Sequence, residues 1–298
     1  MILVFAEDDP VALEALTFAR RLGDVEAVAF EDVDLVGYAT RVHRVPLEAY
    51  APAAWAQTIV ELAADVVVAP GTDRGHEVLA HVAARLDAPL AANCVDVRPD
   101  GGVLHVTRQR WGGSLLEEAR LTGTPKLLTV APHAVAAVAA ADAPATVREF
   151  RPQSLADEDF QVQVVRREEP PAGVVQLDRA RVVVGGGRGV GSAEGFAVLD
   201  ELAELLGGIV GGSRVVTNLG WRPHSDQVGQ TGARIAPDVY IACGVSGAIQ
   251  HWVGCKGAKR ILAINSDRDA PLVAKADYAV IGDLHEVVPA VVAELRKL

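Results

Sequence analysis

Residues 180–191 read Ala-Arg-Val-Val-Val-Gly-Gly-Gly-Arg-Gly-Val-Gly, a short aliphatic run that leads directly into a glycine-rich loop. Residues 192–206, which follow, have the apolar spacing of a helix. A strand, a glycine loop and a helix in this order place backbone N–H groups and a helix N-terminus where phosphate groups bind. The segment therefore predicts a nucleotide-binding fold, although a tight turn with a solvated Arg188 would fit the loop equally well.

Similar alternations of aliphatic runs and helical stretches occur on both sides of this segment. Runs at 239–242, 260–264 and 278–281 predict further strands of the same doubly wound sheet. In the first half the predicted strands cover residues 2–6, 25–30, 66–69, 91–97, 103–108, 145–150 and 161–167, and the predicted helices cover 11–22, 53–64, 75–86 and 134–145. We predict an α/β protein with two domains, each a mainly parallel sheet flanked by helices.

The boundary between the two domains is predicted at Arg167-Glu-Glu-Pro-Pro-Ala-Gly173. Two consecutive prolines beside charged residues cannot continue a helix or an interior strand, so they indicate an extended connector. The predicted domains are residues 1–172 and residues 178–298.

Composition and charge exclude several classes of protein. Half of the 298 side chains are hydrophobic (50%), which is enough for two cores of ordinary size. The 28 Lys and Arg residues against 39 Asp and Glu give a net charge of -11, which disfavours nucleic acid and anionic lipid as partners. The three cysteines are far apart, so neither a disulfide framework nor a metal site is predicted. The first strand follows Met1 directly, and no apolar run is long enough to span a membrane, so we expect a cytoplasmic protein without membrane insertion.

The glycine loop does not match the fingerprint of NAD-binding domains. Counted strictly as GxGxxG, it places Val190 or Ser192 at the third glycine position. The acidic residue expected after the second strand is also missing, because residues 208–214 read Gly-Ile-Val-Gly-Gly-Ser-Arg. An NAD(P)-binding oxidoreductase is therefore a weaker interpretation.

Two further polar segments lie beside the same strand ends: Asp226-Gln-Val-Gly-Gln-Thr-Gly232 and Cys243-Gly-Val-Ser-Gly-Ala-Ile-Gln-His251. With the glycine loop, the Gly-Ser-Arg at 212–214, the Ala-Ile-Asn at 263–265 and the Gly-Asp-Leu at 282–284, they resemble the FAD-binding domain of electron-transfer flavoprotein alpha subunits, the FixB-like family. The resemblance covers about residues 181–298 strongly and the first half only in its general pattern.

The resemblance implies three residues that tune a bound flavin. Thr231 is similar to a hydroxyl beside the flavin N5, and His251 to a protonated or donating imidazole near the pyrimidine O2. Arg214 resembles an arginine beside the ring, where its permanent positive charge raises the reduction potential. Taken alone, Thr231 would be a turn residue and His251 a packed or surface residue.

The remaining predicted contacts to FAD also follow from the resemblance. Polar contacts to the ribityl chain and the ring are implied for Gln227, Gln230 and Gln250, pyrophosphate or ribityl contacts for Arg188, Ser213, Ser246 and Gly247, ribose or adenine contacts for Asn265, Asp283 and Leu284, and a contact in the same site for Val228. We also expect Ser246 to cap a helix that begins near Gly247. Ordinary loop and N-cap chemistry is the alternative interpretation of Asn265 and Asp283.

The family further implies half of a heterodimer that carries electrons and breaks no substrate bond. A beta subunit would complete the flavin site, the N-terminal domain would contact it, and FAD would pass electrons from flavin dehydrogenases, such as acyl-CoA dehydrogenases in fatty acid beta-oxidation, to a membrane quinone oxidoreductase. An electron-bifurcating member of the same family is the main alternative.

A hydrolase and a non-catalytic interaction module are two alternative interpretations. Ser246 lies on a predicted strand-to-helix turn, as a hydrolase nucleophile would, but Ala248 replaces the closing glycine of that motif, and Asp283 and His285 fit the start of the last helix better than a catalytic pair. A non-catalytic interaction module would account for the N-terminal domain, where the histidines are scattered.

Overall fold

A computed structural model describes residues 1–47, 49–140, 145–164 and 176–297. The chain divides into two compact units, Met1–Glu168 and Glu169–Leu298, and each contains its own sheet. The predicted connector, Arg167–Gly173, lies outside the described residues. Among the described residues, no helix combines the length and the apolar character that crossing a bilayer requires.

The first unit is built on a sheet whose strands run in the order β7-β6-β5-β8-β4-β1-β2-β3-β9. Pairing is parallel except between β5, β6 and β7, which are antiparallel. The elements of its described part are β1 Ile2–Ala6, α1 Pro10–Ala19, β2 Val25–Ala29, β3 Arg41–Arg44, α2 Pro52–Glu61, β4 Val66–Pro70, α3 Asp73–Leu86, β5 Leu90–Asp100, β6 Val103–Arg110, β7 Leu115–Leu121, β8 Lys126–Val130 and β9 Thr146–Glu149.

Both faces of this sheet are covered, which is why its central strands are aliphatic throughout. On one face α1 packs Leu16 and Phe18 against β1, β2 and β4. On the other, Trp55 of α2 and Leu79 of α3 pack against the opposite side of the same strands. The predicted mainly parallel, helix-flanked architecture of the first half is confirmed.

The second unit is an all-parallel sheet with the strand order β11-β10-β12-β13-β14. Its elements are β10 Val182–Gly186, α4 Ala197–Leu205, β11 Ile209–Gly212, α5 Arg214–Asn218, β12 Val239–Cys243, α6 Ile249–Cys255, β13 Ile261–Asn265, β14 Tyr278–Ile281 and α7 Leu284–Leu295. Leu199 of α4 and Val288 of α7 cover one face, and Cys255 of α6 covers the other together with Leu272.

The topology of this sheet explains where a ligand can bind. The chain passes from β10 outward to β11 and then crosses to β12 on the other side of β10. The loops that leave β10 and β12 therefore diverge at the carboxyl edge, and a crevice opens between them. The doubly wound prediction is confirmed, and it places the polar loops of the sequence at one edge.

Two predicted elements of the first unit are wrong. Residues 134–140 form no helix, because Val138 donates its N–H to the Thr17 hydroxyl and accepts from Arg20, and Ala140 donates to the Gly37 carbonyl. Backbone groups bound to α1 and a neighbouring loop are not free for helical hydrogen bonds. Residues 161–164 form no strand either, and the Val164 N–H donates to the carbonyl of the loop residue Tyr50 at 3.1 Å. Residues 165–167 of that predicted strand lie outside the described residues.

The carboxyl end of β1 carries a buried carboxyl group, Glu7, which accepts a 2.5 Å hydrogen bond from the Thr72 hydroxyl. Burial raises the pKa of Glu7 to about 7, and Thr72 and Arg74 oppose this rise. Between pH 4.5 and 7 the folded chain holds a proton that the unfolded chain has released, so stability falls as pH rises through this window.

Glu7→Gln is expected to remove this pH dependence. Above pH 7 the ionised Glu7 lowers the free energy of unfolding of the wild type by about 3 kcal/mol at most, and glutamine has no charge to bury. The variant should therefore have the higher free energy of unfolding at pH 8. Urea titrations at pH 5, 6, 7 and 8 measure it. The control is Asp8→Asn, which neutralises an exposed neighbour. Parallel pH profiles for wild type and Glu7→Gln would contradict the assignment.

Candidate functional site

A cavity of about 670 Å³ opens at the carboxyl edge of the second sheet. Its walls come from the loops after β10, β11, β12 and β13 and from the start of α7. The lining residues are Arg188, Gly189, Ser213, Arg214, Val215, Asn218, Gly244, Val245, Ser246, Gly247, Ala248, Gln250, His251, Asn265, Ser266, Asp267, Ala270, Asp283 and Leu284. The cavity is thus at the crevice that the strand order creates.

The loops after β10 and β12 cross with their backbones in direct contact. Gly187 donates its N–H to the Cys243 carbonyl at 2.9 Å, and Gly189 donates to the Gly244 carbonyl at 3.1 Å. A Cβ on Gly187 would collide with the Gly244 carbonyl, and one on Gly189 would lie 2.8 Å from the Gly244 Cα. Glycine is therefore required at both positions because no side chain fits between the loops.

This crossing changes the expected role of the glycine loop. The N–H groups of Gly187, Gly189, Val190 and Gly191 are all bonded to carbonyls of the protein, so these four cannot be offered to a phosphate. The group that the loop directs into the cavity is instead the exposed side chain of Arg188. The loop therefore presents the positive charge of Arg188 to the cavity.

The loop after β12 extends further along the chain than predicted. Gly247 adopts a left-handed φ of 79°, and the Ser246 carbonyl accepts the Leu272 N–H at 3.1 Å. Helix α6 begins only at Ile249, with Ala248 in the N-cap position, so the prediction that Ser246 caps a helix near Gly247 is wrong. Ser246 is exposed and lines the cavity.

Arg214 and Ser213 lie where β11 turns into α5. The Ser213 N–H donates to the Gly186 carbonyl at 2.9 Å, which ties this turn to the end of β10. Arg214 is the first residue of α5 and is exposed on the cavity wall. Two guanidinium groups, those of Arg188 and Arg214, therefore line one cavity, which favours an anionic ligand.

His251 is buried on α6 beside Tyr240 of β12. Its Nε2 lies 2.7 Å from the Tyr240 hydroxyl. Burial lowers the pKa of His251 to about 4, an effect that the Val228 backbone opposes. The ring is therefore neutral at pH 7, and of the two predicted forms only the neutral, donating imidazole fits. A Cβ on Gly185 would collide with the Tyr240 hydroxyl, so this glycine makes room for the pair.

Asn265, Asp283 and Leu284 line the cavity and also serve the fold. The Asn265 amide donates to the Val245 carbonyl at 3.0 Å, and its oxygen accepts the Asp267 N–H. The Asp283 carboxylate caps α7 by accepting the His285 N–H at 2.9 Å. Leu284 is buried in the core beneath α7. The loop and N-cap interpretations are therefore correct, and they coexist with a place on the cavity wall.

The structure brings ten of the fourteen predicted site residues together on the cavity wall, namely Arg188, Ser213, Arg214, Ser246, Gly247, Gln250, His251, Asn265, Asp283 and Leu284. The other four lie on the adjoining loop. Gln227 and Val228 are buried there, and Gln230 and Thr231 are exposed. The Gln230 N–H donates to the Gln250 carbonyl at 2.8 Å, so this loop abuts the cavity.

Several lining residues were not predicted from the sequence. Ser266 and Asp267 directly follow β13, and Asn218 lies one helical turn after Arg214 on α5. The rule that ligands bind beyond the carboxyl ends of parallel strands would have indicated the first two. Among the described residues, no group of His, Cys, Asp and Glu could hold a metal ion.

Comparison with known proteins identifies the family. Residues 176–256 match the model described as the electron transfer flavoprotein FAD-binding domain, and residues 2–155 match the electron transfer flavoprotein domain. The chain belongs to the electron-transfer flavoprotein alpha subunits. It is 34% identical to the electron transfer flavoprotein subunit alpha of Thermoanaerobacterium thermosaccharolyticum, over 97% of this chain and 94% of that protein.

Other relatives agree with this assignment. The protein FixB of Clostridium saccharobutylicum is 35% identical, over 97% of this chain and 87% of its own length. The electron transfer flavoprotein subunit alpha of Mycobacterium tuberculosis is 40% identical, over 76% of this chain and 69% of its own length. The second unit of this alpha subunit is thus an FAD-binding domain.

The cavity suits FAD in both size and chemistry. Its volume is within the range of cofactor sites, which is roughly 300–1,000 Å³. Arg188 and Arg214 line it with positive charge, which suits an anionic cofactor. The neutral imidazole of His251 lines the same cavity, so the wall also offers a polar group that adds no charge.

Gly187→Ala is expected to separate the crossed loops, because its Cβ meets a backbone carbonyl that cannot move aside. FAD affinity should fall on the order of tenfold or more, a loss of about 1.4 kcal/mol. Equilibrium dialysis with FAD measures it. Gly101→Ala is the control, since Gly101 lies in the turn between β5 and β6 of the first unit and its Cβ would meet no atom within 4 Å. Equal affinities in the two variants would contradict a role for the crossing.

An NMR titration of the imidazole should show His251 neutral from pH 8 down to about pH 5, with its midpoint near 4. Because the unfolded ring binds a proton near 6.5 and the folded ring does not, His251 lowers stability as pH falls from 6.5 to 4. A midpoint near 6.5 would show that the ring is solvated.

Proposed function

We propose that this alpha subunit carries electrons on an FAD held in the cavity of its second unit, as one half of a heterodimer with a beta subunit. The observation that supports this most directly is the convergence of Arg188, Arg214 and the neutral His251 at one crevice of a parallel sheet. FAD supplies the one- and two-electron chemistry when bound. The chain contributes binding, orientation and charge.

We assign the fourteen predicted residues to this site in two groups. The ten on the cavity wall would hold the cofactor, with Arg188 toward the pyrophosphate and Arg214 beside the ring, where a permanent positive charge favours the reduced, more negative cofactor. His251 would contribute a hydrogen bond without a net charge. Thr231, on the adjoining loop, would donate a hydrogen bond from its hydroxyl to the ring.

The chemistry of the cavity supports a carrier more than a hydrolase. The histidine in its wall has a pKa of about 4, far below the value that suits a general base at neutral pH. The Asp283 carboxylate is engaged as the N-cap of α7. His251 would therefore be a poor base for Ser246. The position of Ser246 on the cavity wall is better suited to contact with a cofactor.

The partners belong to the same proposal. The N-terminal domain, proposed as residues 1–172, would contact the beta subunit, and the FAD domain, proposed as residues 178–298, would exchange electrons. Donors would be flavin dehydrogenases such as acyl-CoA dehydrogenases, and the acceptor would be a membrane quinone oxidoreductase. Stopped-flow mixing of the heterodimer with a substrate-reduced acyl-CoA dehydrogenase tests the first of these transfers.

Arg214→Ala is expected to weaken FAD binding about tenfold and to lower the reduction potential, because one charge-assisted contact and one positive charge are lost. The heterodimer, co-expressed with its beta subunit, is assayed for FAD content and by potentiometric titration. Arg260→Ala, an exposed arginine at the amino end of β13, is the control.

Two outcomes would count against the proposal. A colourless heterodimer that releases no FAD on denaturation would contradict the function itself. Full FAD occupancy with an unchanged potential in Arg214→Ala would remove only that residue from the site.

A further inference from the structure

Three side chains link helix α5 to the loop at 227–232 through hydrogen bonds. The Thr217 hydroxyl donates to Oε1 of Gln227 at 2.8 Å, and Nε2 of Gln227 donates to the Thr231 hydroxyl oxygen at 3.0 Å. We call Thr217, Gln227 and Thr231 the amide bridge. It leads from the helix that begins with Arg214 to the hydroxyl proposed to face the flavin.

The direction of donation along the amide bridge leaves one proton free. The Thr217 hydroxyl has a single proton, and its contact with Gln227 is shorter than its 3.1 Å contact with the Arg214 carbonyl. Gln227 then presents Nε2, a donor, to Thr231. Because the Thr231 oxygen accepts this hydrogen bond, its own proton is available to an acceptor outside the bridge.

Burial makes this arrangement specific. Gln227 is only 2% exposed, so both ends of its amide need partners within the protein, whereas Thr231 is exposed. The family resemblance implies that Gln227 contacts the ribityl chain or the ring. In the structure the Gln227 amide is bonded on both sides by threonines.

The backbone holds Gln227 in one position. Its N–H donates to the His224 carbonyl at 3.0 Å, and its carbonyl accepts from Ala233 at 2.7 Å. The next residue, Val228, donates to Gly212 at the end of β11. A Cβ on Gly232 would collide with the Gln227 carbonyl, so the loop closes tightly around this residue. The side-chain amide of Gln227 is therefore attached to a backbone that hydrogen bonds hold in place.

We propose that Thr217 and Gln227 are positioning residues that hold the Thr231 hydroxyl as a hydrogen-bond donor toward the flavin, an inference that rests on the FAD function proposed above. Thr217 fixes which end of the Gln227 amide faces Thr231. Gln227 in turn fixes and polarises the Thr231 hydroxyl. Neither residue needs to touch the cofactor.

The test uses Thr217→Val, which keeps the shape of the side chain and removes its hydroxyl, in the heterodimer with FAD. The measured quantity is the equilibrium constant that relates one-electron-reduced flavin to the oxidised and fully reduced forms, from a spectroelectrochemical titration. Loss of one oriented hydrogen bond should lower it about three- to tenfold. Thr217→Ser should restore it to within about twofold of wild type.

A double-mutant cycle tests whether Thr217 acts through Thr231. If it does, Thr217→Val should have no further effect in a Thr231→Val background. The control is Thr58→Val, which removes a threonine hydroxyl that is bonded to the Ala54 carbonyl in α2 of the first unit. This variant should match wild type.

A second measurement needs no flavin. In the full chain without added FAD, solvent exchange of the Gln227 side-chain amide protons, followed by NMR, should be about tenfold faster in Thr217→Val than in wild type or Thr217→Ser.

Each result has a defined meaning. Wild-type constants in FAD-bearing Thr217→Val, additive effects in the cycle, or unchanged amide exchange would overturn the inference and leave the FAD function standing. A wild-type heterodimer without FAD would overturn the proposed function instead.

Discussion

The site depends on how closely two loops approach each other at one edge of the second sheet. Gly187 and Gly189 lie directly against the backbone of Gly244, with hydrogen bonds between the two loops. This contact fixes the positions of the loops that follow β10 and β12. It therefore also fixes the positions of Arg188 and Ser246 relative to each other. The glycines serve this contact, and the positive charge that the loop presents to the cavity comes from the arginine between them.

Much of the site could be predicted because it lies at the ends of parallel strands. Aliphatic runs identified β10, β12, β13 and β14, and a doubly wound order sends all their carboxyl ends to one edge. Arg188, Ser246 and Asn265 meet there for that reason. The strand pattern thus indicated the edge of the sheet where the cavity lies, and the resemblance to a family supplied the site residues and the cofactor.

What the sequence could not reveal depends on contacts between residues far apart in the chain or on local loop geometry. The alanine- and valine-rich segment at 134–140 has helical composition, but its hydrogen bonds go to α1 and to Gly37. Ser246 resembles a helix cap, yet its carbonyl holds Leu272 and the helix starts later. The neutrality of His251 follows from burial beside Tyr240, which no local pattern encodes.

All the cavity walls come from residues between 188 and 284, within a single unit and around a single sheet. A cofactor site built this way is modular. Substitutions on the first unit leave the residues of these walls unchanged. The surface proposed to contact the beta subunit can therefore vary in sequence while the residues proposed to hold the cofactor stay the same.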